Sequence, residues 1–460
     1  MKLYDVIIVG GGPAGLFASL ELVKENSGLN ILLLEKGRDI RGRVCPINQY
    51  GSKCANCKPC SITCGIGGAG AFSDGKLTLT SDYGGVLDEY IPKSQLDELI
   101  NYVDSVYVKF GGTREVHGTD KEKIRDIERR AAAADLKLIP AIIKHLGTEK
   151  CYDIIKNIED FLIDKIEIKT KKMVKEILTE NGKACGVVTE DGEEYLAKFV
   201  VVVPGREGAD WFKRESERLS LETKNNAVDV GVRVEIPAVV MEDITDVVYE
   251  SKFIYYSKSF DDKVRTFCMN PYGKVVVENN EGLKTVNGHS YKDIKTDNTN
   301  FAILVSKEFT EPFKEPIAYG KYIASLANML GDGVIVQRLG DLLSGRRSTP
   351  ERLKRGLVEP TLKNATPGDL SLVLPYRFLQ SIIEMLKALD KVSPGIYSKH
   401  TLLYGVEVKF YSSRVKLTNK FETQIENLFA AGDGAGITRG LAQASVSGVV
   451  VAREILNRVK

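Results

Sequence analysis

Nothing in this sequence offers a continuous apolar stretch long enough to cross a bilayer, which takes about 20 mostly apolar residues. The nearest approach, Val6 to Leu22, is broken by three consecutive glycines and a proline. The N-terminus also lacks a basic region ahead of a cleavage site, so a cytoplasmic location is expected. Charge of one sign is scarce: 64 lysines and arginines against 62 acidic residues leave a net +2. That is too little to attract nucleic acid or an anionic membrane surface, and no basic run carries interleaved aromatics. Histidine occurs four times, at His117, His145, His289 and His400. No HExxH, P-loop or Ser-His-Asp order accompanies them, which sets aside the common hydrolase and metalloprotease arrangements.

What is present is an ordinary globular composition, 43% apolar and 27% charged over 460 residues, enough for two or three domains with real cores. The chain begins DVIIVGGGPAGLFASLELVKENSGLNILLLEKG. Val6 to Val9 read as a buried strand because four apolar, mostly β-branched residues precede a glycine punctuation. Gly10, Gly12 and Gly15 then supply the G-x-G-x-x-G spacing: a tight turn, close approach of a phosphate, and close helix–strand packing. A pyrophosphate is expected on the amides opening the helix at Pro13 and Ala14. Ile31 to Leu34 form the second parallel strand, and Glu35, 20 residues beyond Gly15, is placed to accept both ribose hydroxyls, with Lys36 beside it.

That fingerprint alone does not separate FAD from NAD. Near the other end, Glu422 to Ala444 reads ETQIENLFAAGDGAGITRGLAQA. The strand Leu428 to Ala431 is closed by Gly432 and Asp433, and a helix follows. This resembles the second FAD signature of glutathione-reductase-like flavoproteins. The resemblance implies that Asp433 binds the ribityl chain and that the flavin pyrimidine edge lies over the helix opening at Gly440, Leu441 and Ala442. A helix N-terminus there stabilises the charge a reduced flavin carries. Between these pieces, Lys172 to Gly205 reads as a meander with turns at Asn181-Gly182 and Asp191-Gly192. Its last strand is Phe199 to Val203. In the same superfamily such a meander crosses the adenine side, which makes Val174 the expected adenine contact and Gly205 the return to the sheet. No second G-x-G-x-x-G follows a strand, so no dedicated pyridine-nucleotide domain is expected.

Five of the eight cysteines, Cys45, Cys54, Cys57, Cys60 and Cys64, fall within 20 residues. From Cys54 the spacing is C-x2-C-x2-C-x3-C, that of bacterial ferredoxins, and it suits three corners of a [4Fe–4S] cubane with Cys64 or Cys45 as fourth ligand. Zinc on four of the thiolates, a Cys60/Cys64 dithiol exchanging with the flavin, and loop thiols without a cofactor are the alternatives. The loop runs straight into GIGGAGAFSDGK. In related flavoproteins a glycine-rich segment at this point passes the isoalloxazine ring, which singles out Gly68, Ala69 and Gly70, with Lys76 just beyond as a group near flavin N5.

GGGPAG, CKPC leading into GGAGAFSDGKLTL, TLLYGVEVKFYSSR at Thr401 to Arg414, and AGDGAGITRGLAQA together resemble a family of bacterial FAD-dependent dehydrogenases over essentially the whole chain. More distantly the chain is similar to geranylgeranyl reductases and fumarate-reductase flavoproteins, which saturate carbon–carbon double bonds. The resemblance implies an FAD-dependent oxidoreductase acting on an organic substrate. NAD(P)H or ferredoxin is the expected electron partner. A thiol-linked flavoprotein and a redox-sensing flavoprotein that binds a partner are the alternatives.

The expected fold class is α/β: a Rossmann-like FAD-binding domain assembled from residues 1–80, 166–215 and 401–460. Residues 81–165 are expected as a helical insertion, with a solvated helix at Lys121 to Ala134. Residues 216–400 are expected as an α+β cap with an antiparallel sheet over the flavin, from the alternation at Val228–Val234, Val264–Met269, Lys274–Val277 and Phe301–Val305. Gly345-Arg346-Arg347 and Lys354-Arg355 read either as a solvated loop or as an anchor for an anionic substrate. His400 and Tyr404, at the junction returning to the FAD domain, are the candidate acids.

Overall fold

In the computed structural model the N-terminal apolar run becomes strand β1 (Leu3–Val9), followed by helix α1 (Pro13–Lys24) and strand β2 (Ile31–Glu35). The structure describes residues 3–24, 28–46, 57–73, 75–224, 226–280, 282–290, 295–309, 312–313, 315–409 and 414–459. The chain divides into two units. The first comprises Met1–Glu115, Lys144–Asn226 and Ser412–Lys460; the second comprises Val116–Ile143 and Ala227–Tyr411.

Unit 1 is built on a sheet in which β1 pairs in parallel with β2 (Val6 opposite Ile31) and with Glu194–Val202 (Val6 opposite Phe199). Glu167–Thr170 extends it in parallel beyond β2, and Leu428–Ala430 pairs in parallel with Glu194–Val202. A parallel sheet is covered on both faces, so its strands are continuous apolar runs rather than alternating ones; Val6, Ile7 and Ile8 are fully buried. The expected meander is present as Val174–Glu180, Lys183–Thr189 and Glu194–Val202. Its first turn has positive φ at both Asn181 and Gly182, the pattern of a hairpin whose twist matches its strands. Helix α1 lies against helix Leu441–Val459. A Cβ on Gly448 would stand 2.0 Å from the Ala14 carbonyl oxygen, so only glycine admits this approach.

Unit 2 carries a second sheet. Its strands run in the order Thr366–Pro367, Ile335–Arg338, Leu402–Lys409, Val228–Pro237, Asn298–Lys307, Lys263–Asn270, Lys252–Tyr256 and Lys137–Ile139. Val228, Val230, Val232, Val234 and Ile236 share one core with Phe378, Ile382 and Met385 of helix Tyr376–Val392. The expected solvated helix is Lys121–Ala132, and it buries Ile124, Ile127 and Ala131 as a stripe in the unit 2 core. The domain boundaries differ from those read in the sequence. The strand Leu402–Lys409 pairs along Val228–Pro237, so unit 2 extends past residue 400. The stretch expected as one insertion is shared between the units, with 116–143 in unit 2 and its flanks in unit 1.

The opposite face of strand Val228–Pro237 presents Asp229, Arg233 and Glu235, all buried. Arg233 binds Glu407 through two parallel bonds, Nε to Oε2 and Nη2 to Oε1, both 2.7 Å. Its Nη1 donates to the Cys268 carbonyl at 3.0 Å and to Asn300 Oδ1 at 3.1 Å. Lys409 Nζ stands 3.1 Å from Glu407 Oε1. A Cβ on Gly288 would meet Arg233 Nη1 at 2.3 Å, so hairpin Lys274–His289 crosses the guanidinium at its glycine.

Breaking a buried pair leaves an uncompensated charge, so Glu407→Gln is expected to cost about 3–5 kcal/mol in urea unfolding at neutral pH. Burial pushes the Glu407 carboxyl up, but Arg233 and Lys409 outweigh it and hold it below the usual range. A depressed folded pKa makes this contribution complete above the unfolded value and lost as the pH falls. The gap between wild type and Glu407→Gln should therefore narrow on acidification; a gap that is constant with pH would contradict the pairing.

Candidate nucleotide site

The glycine fingerprint closes on itself and leaves one position open. A Cβ on Gly10, which has φ +116°, would stand 2.2 Å from the Val203 carbonyl oxygen, and a Cβ on Gly15 would stand 2.0 Å from that of Gly10. These two glycines are required by packing. A Cβ on Gly12 would meet nothing within 4 Å. Gly12 therefore faces open space at the start of α1, where the first amides of a helix lack partners and its dipole favours an anion.

Glu35, at the end of β2, is buried and gathers three glycine amides. Oε2 accepts from Gly11 at 2.8 Å, while Oε1 accepts from Gly37 at 2.8 Å and Gly65 at 2.9 Å. A carboxylate oxygen has two acceptor positions. Oε1 is thus saturated, and Oε2 keeps one acceptor position open. The Lys172 amide donates to the Glu35 carbonyl at 2.9 Å, bringing the meander to the same place with Val174 two residues on. Lys36 Nζ donates to the Glu207 carbonyl at 3.2 Å.

From Gly65 the chain runs along the fingerprint. The Gly67 amide donates to the Gly11 carbonyl at 2.8 Å. A Cβ on Gly68 would stand 3.2 Å from Gly12 Cα, and one on Gly70 would stand 2.5 Å from Leu441 Cδ2 and 3.4 Å from Pro13 Cγ. Three glycine-rich segments, around Gly12, Gly68 to Gly70 and Gly440 to Leu441, thus meet at two helix openings. A small apolar cavity there is lined by Pro13, Gly70, Tyr107, Leu146, Cys151 and Leu441 among others.

Asp433 accepts from the Thr438 hydroxyl at 2.7 Å and stands 3.5 Å from Arg206 Nε. Burial pushes its carboxyl up against the pull of Arg206 and Thr438. A Cβ on Gly434 would come 2.7 Å from the Gly205 carbonyl, so Gly205 and Asp433 are neighbours. One contributor was not anticipated. Residues 83–86 strap the C-terminal segment: Val86 N to Ile437 O at 2.9 Å, Arg439 N to Gly84 O at 2.7 Å, and Gln443 Nε2 to Tyr83 O at 3.1 Å. The pair Gly84-Gly85 was the available signal. A Cβ on Gly85 would stand 2.5 Å from both Gln443 Oε1 and the Ile437 carbonyl.

Residues 8–58 match the family described as an NAD(P)-binding Rossmann-like domain, and residues 227–410 match the one described as FAD-dependent protein, C-terminal domain-like. The enzyme is an FAD-dependent oxidoreductase. An uncharacterized protein of Clostridium beijerinckii is 27% identical to it, over 98% of this chain and 80% of the relative. Among solved structures, a geranylgeranyl bacteriochlorophyll reductase-like protein from Thermoplasma acidophilum is 16% identical, at a TM-score of 0.40 over 100% of this chain and 79% of that one. The L-proline dehydrogenase from P. horikoshii is 13% identical, at a TM-score of 0.43 over 100% of this chain and 94% of that one.

In this enzyme Cys64 is buried, Cys45 and Cys60 are half-buried, Cys57 is exposed, and Cys54 lies outside the described residues. Cys64 N bonds Cys60 O at 2.9 Å, and burial pushes the Cys64 thiol up. Among the described residues no three His, Cys, Asp or Glu side chains converge as metal ligands. The loop is organised instead by Arg43, which is buried and donates to the carbonyls of Ser61 (2.9 Å), Ile62 (2.7 Å) and Ile66 (2.7 Å). Burial lowers its guanidinium to about 10.

Lys76 opens strand Lys76–Thr78 in unit 1, while His400 and Tyr404 lie in unit 2. Tyr404 is fully buried and its hydroxyl donates to Glu235 Oε2. Burial and that carboxylate push the phenol far above its usual range. His400 is half-buried, and burial with the nearby Arg338 and Lys399 lowers its pKa. No described helix is long and apolar enough to cross a membrane.

The glycines separate binding from folding. In the flavin-free protein, Gly12→Val is expected to keep the wild-type thermal midpoint yet lose at least about tenfold, or 1.4 kcal/mol, in FAD affinity. Gly15→Val should lower the midpoint itself. Equal FAD affinity in Gly12→Val and wild type would remove Gly12 from the binding surface.

Proposed function

We propose that the enzyme holds one FAD in unit 1 and passes hydride or electrons between it and an organic substrate, saturating an activated double bond or carrying out the reverse. The convergence of three glycine-rich segments at two helix openings supports this reading. Bound FAD supplies two-electron and one-electron exchange at its ring. The amides opening α1 receive the pyrophosphate beside Gly12, and Glu35 Oε2 receives a ribose hydroxyl. Asp433, positioned by Thr438, receives the ribityl chain. The amides at Gly440 to Ala442 stabilise negative charge on the flavin pyrimidine edge, and Gly68 to Gly70 let backbone approach closely. NAD(P)H or ferredoxin is the proposed electron source, and a cytoplasmic location is part of the same reading. The accompanying proton is assigned to Lys76 or His400, which the pH profile of kcat for each variant would rank; Tyr404, expected as a third candidate, is fully buried with its hydroxyl committed to Glu235.

The cysteine loop supports a second cofactor, a [4Fe–4S] centre. The buried Arg43 guanidinium donates to three loop carbonyls and also feels Glu35, Cys64, Cys60 and Glu159. Loop thiolates holding a cluster would add to the negative charge it faces.

The test is anaerobic purification, with flavin, iron and acid-labile sulfide measured per chain. One FAD per chain, reduced by NAD(P)H or by reduced ferredoxin, is expected; a chain that purifies without flavin and does not take up added FAD overturns the reading. About four irons and four sulfides per flavin are expected for the cluster, and flavin without iron removes it.

A further inference from the structure

The net charge of +2 conceals a strong local excess. Between Arg338 and Arg355 the chain carries six basic residues, Arg338, Arg346, Arg347, Arg352, Lys354 and Arg355, against two acidic ones, Asp341 and Glu351. All of them lie in unit 2. A second basic stretch, Lys399 and His400, is hydrogen-bonded to the first: Gly340 N donates to Lys399 O at 3.2 Å and Leu339 N to Thr401 O at 2.8 Å.

This is a built turn. Arg338 N is held by Ser348 Oγ at 2.9 Å, and Gln337 Nε2 donates to the Arg346 carbonyl at 2.9 Å. Arg338 Nη1 donates to the Arg352 carbonyl at 2.8 Å, and Arg352 Nη1 to the Arg347 carbonyl at 2.7 Å. Each of these arginines commits one nitrogen to backbone and keeps further donors of its fork. The buried Asp341 is already occupied: Oδ1 accepts from Arg346 Nε at 3.0 Å and Oδ2 from Ser348 Oγ at 2.8 Å. Arg338 Nε, at 3.9 Å from Asp341 Oδ2, is a buried donor without a hydrogen bond, and His400 Nδ1 is likewise buried without one. Arg346, Arg347, Lys354, Arg355 and Lys399 are exposed.

A single carboxylate satisfies one guanidinium fork. Asp341 faces Arg338 and Arg346, and Glu351 faces Lys354 and Arg355; six cations against these two carboxylates suit an added anion with more than one charge and several acceptor oxygens. We propose that this basic turn of unit 2 binds the phosphate or diphosphate group of a small-molecule ligand, whether that group belongs to the electron donor or to the substrate. His400 beside Arg338 is the internal reporter, since a bound anion offsets Arg338 and Lys399, which add to burial in lowering its pKa.

The experiment titrates sodium pyrophosphate into the purified full-length protein at low ionic strength, followed by calorimetry and by the His400 proton resonances. Saturable binding is expected, with a rise in the His400 pKa. Arg347→Ala with Arg355→Ala should weaken binding at least tenfold, and the charge-keeping pair Arg347→Lys with Arg355→Lys should restore most of it. Thermal melts of both pairs check that the fold is kept. Displacement of pyrophosphate by NADH or NADPH assigns the phosphate to a nicotinamide donor; displacement by neither assigns it to the substrate. Absence of saturable binding, or undiminished binding in the alanine pair, overturns the proposal. Flavin content of the same samples tests the oxidoreductase reading separately, since pyrophosphate binding does not require flavin.

Discussion

The nucleotide cradle depends on one carboxylate. Glu35 ends β2, and its two oxygens collect amides from the fingerprint, from the turn after β2, and from the far end of the cysteine loop. These backbone pieces have little side-chain volume with which to find one another. A buried anion that accepts three N–H groups holds them in register, and each bond to a charged acceptor is stronger than its neutral counterpart. The path of the next residues past Gly11 and Gly12 to Pro13 and Leu441 follows from that anchorage. The cysteine loop therefore rejoins the fold at the Glu35 end of the cradle rather than at the helix openings, where Gly70 lies.

Unit 2 solves a different problem with similar means. One face of its sheet is an ordinary apolar core. The other buries Arg233, Glu235 and Glu407, which is tolerable only because nearly every donor and acceptor is matched. Glu235 takes Tyr404, Thr361 and Asn298 as partners, and Arg233 takes Glu407, Asn300, Asn287 and the Cys268 carbonyl. Such a layer specifies register: slipping one strand by a residue would move every charge to the apolar face.

The fingerprint was legible because its meaning is carried by spacing within a few residues. Gly10, Gly12, Gly15 and Glu35 fall where the strand–turn–helix–strand pattern puts them. The meander was legible for the same reason, since Asn181-Gly182 announces its own turn. The roles of Gly37 and Gly65 on Glu35 were not, because nothing in a sequence marks which distant amide a carboxylate will find. In strand Val228–Pro237 the alternation was readable, yet an alternating polar face ordinarily means solvent, and here it is buried against other strands and a hairpin. The boundary near residue 400 was misplaced because Leu402 to Val408 is equally apolar whichever sheet it joins; only its pairing with Val228–Pro237 assigns it.

The close crossing of α1 with helix Leu441–Val459, where Gly448 meets Ala14, sets a timetable for biosynthesis. Unit 1 draws on the beginning of the chain and on its last helix, while every residue of unit 2 has been translated before that helix is made. Domains fold as their sequence becomes available. On the ribosome unit 2 can thus acquire its core while α1 waits with its apolar side uncovered for a partner more than 400 residues downstream. Completion of unit 1 is accordingly a late event, and α1 is a helix that must stay competent to pack until Leu441–Val459 has been made.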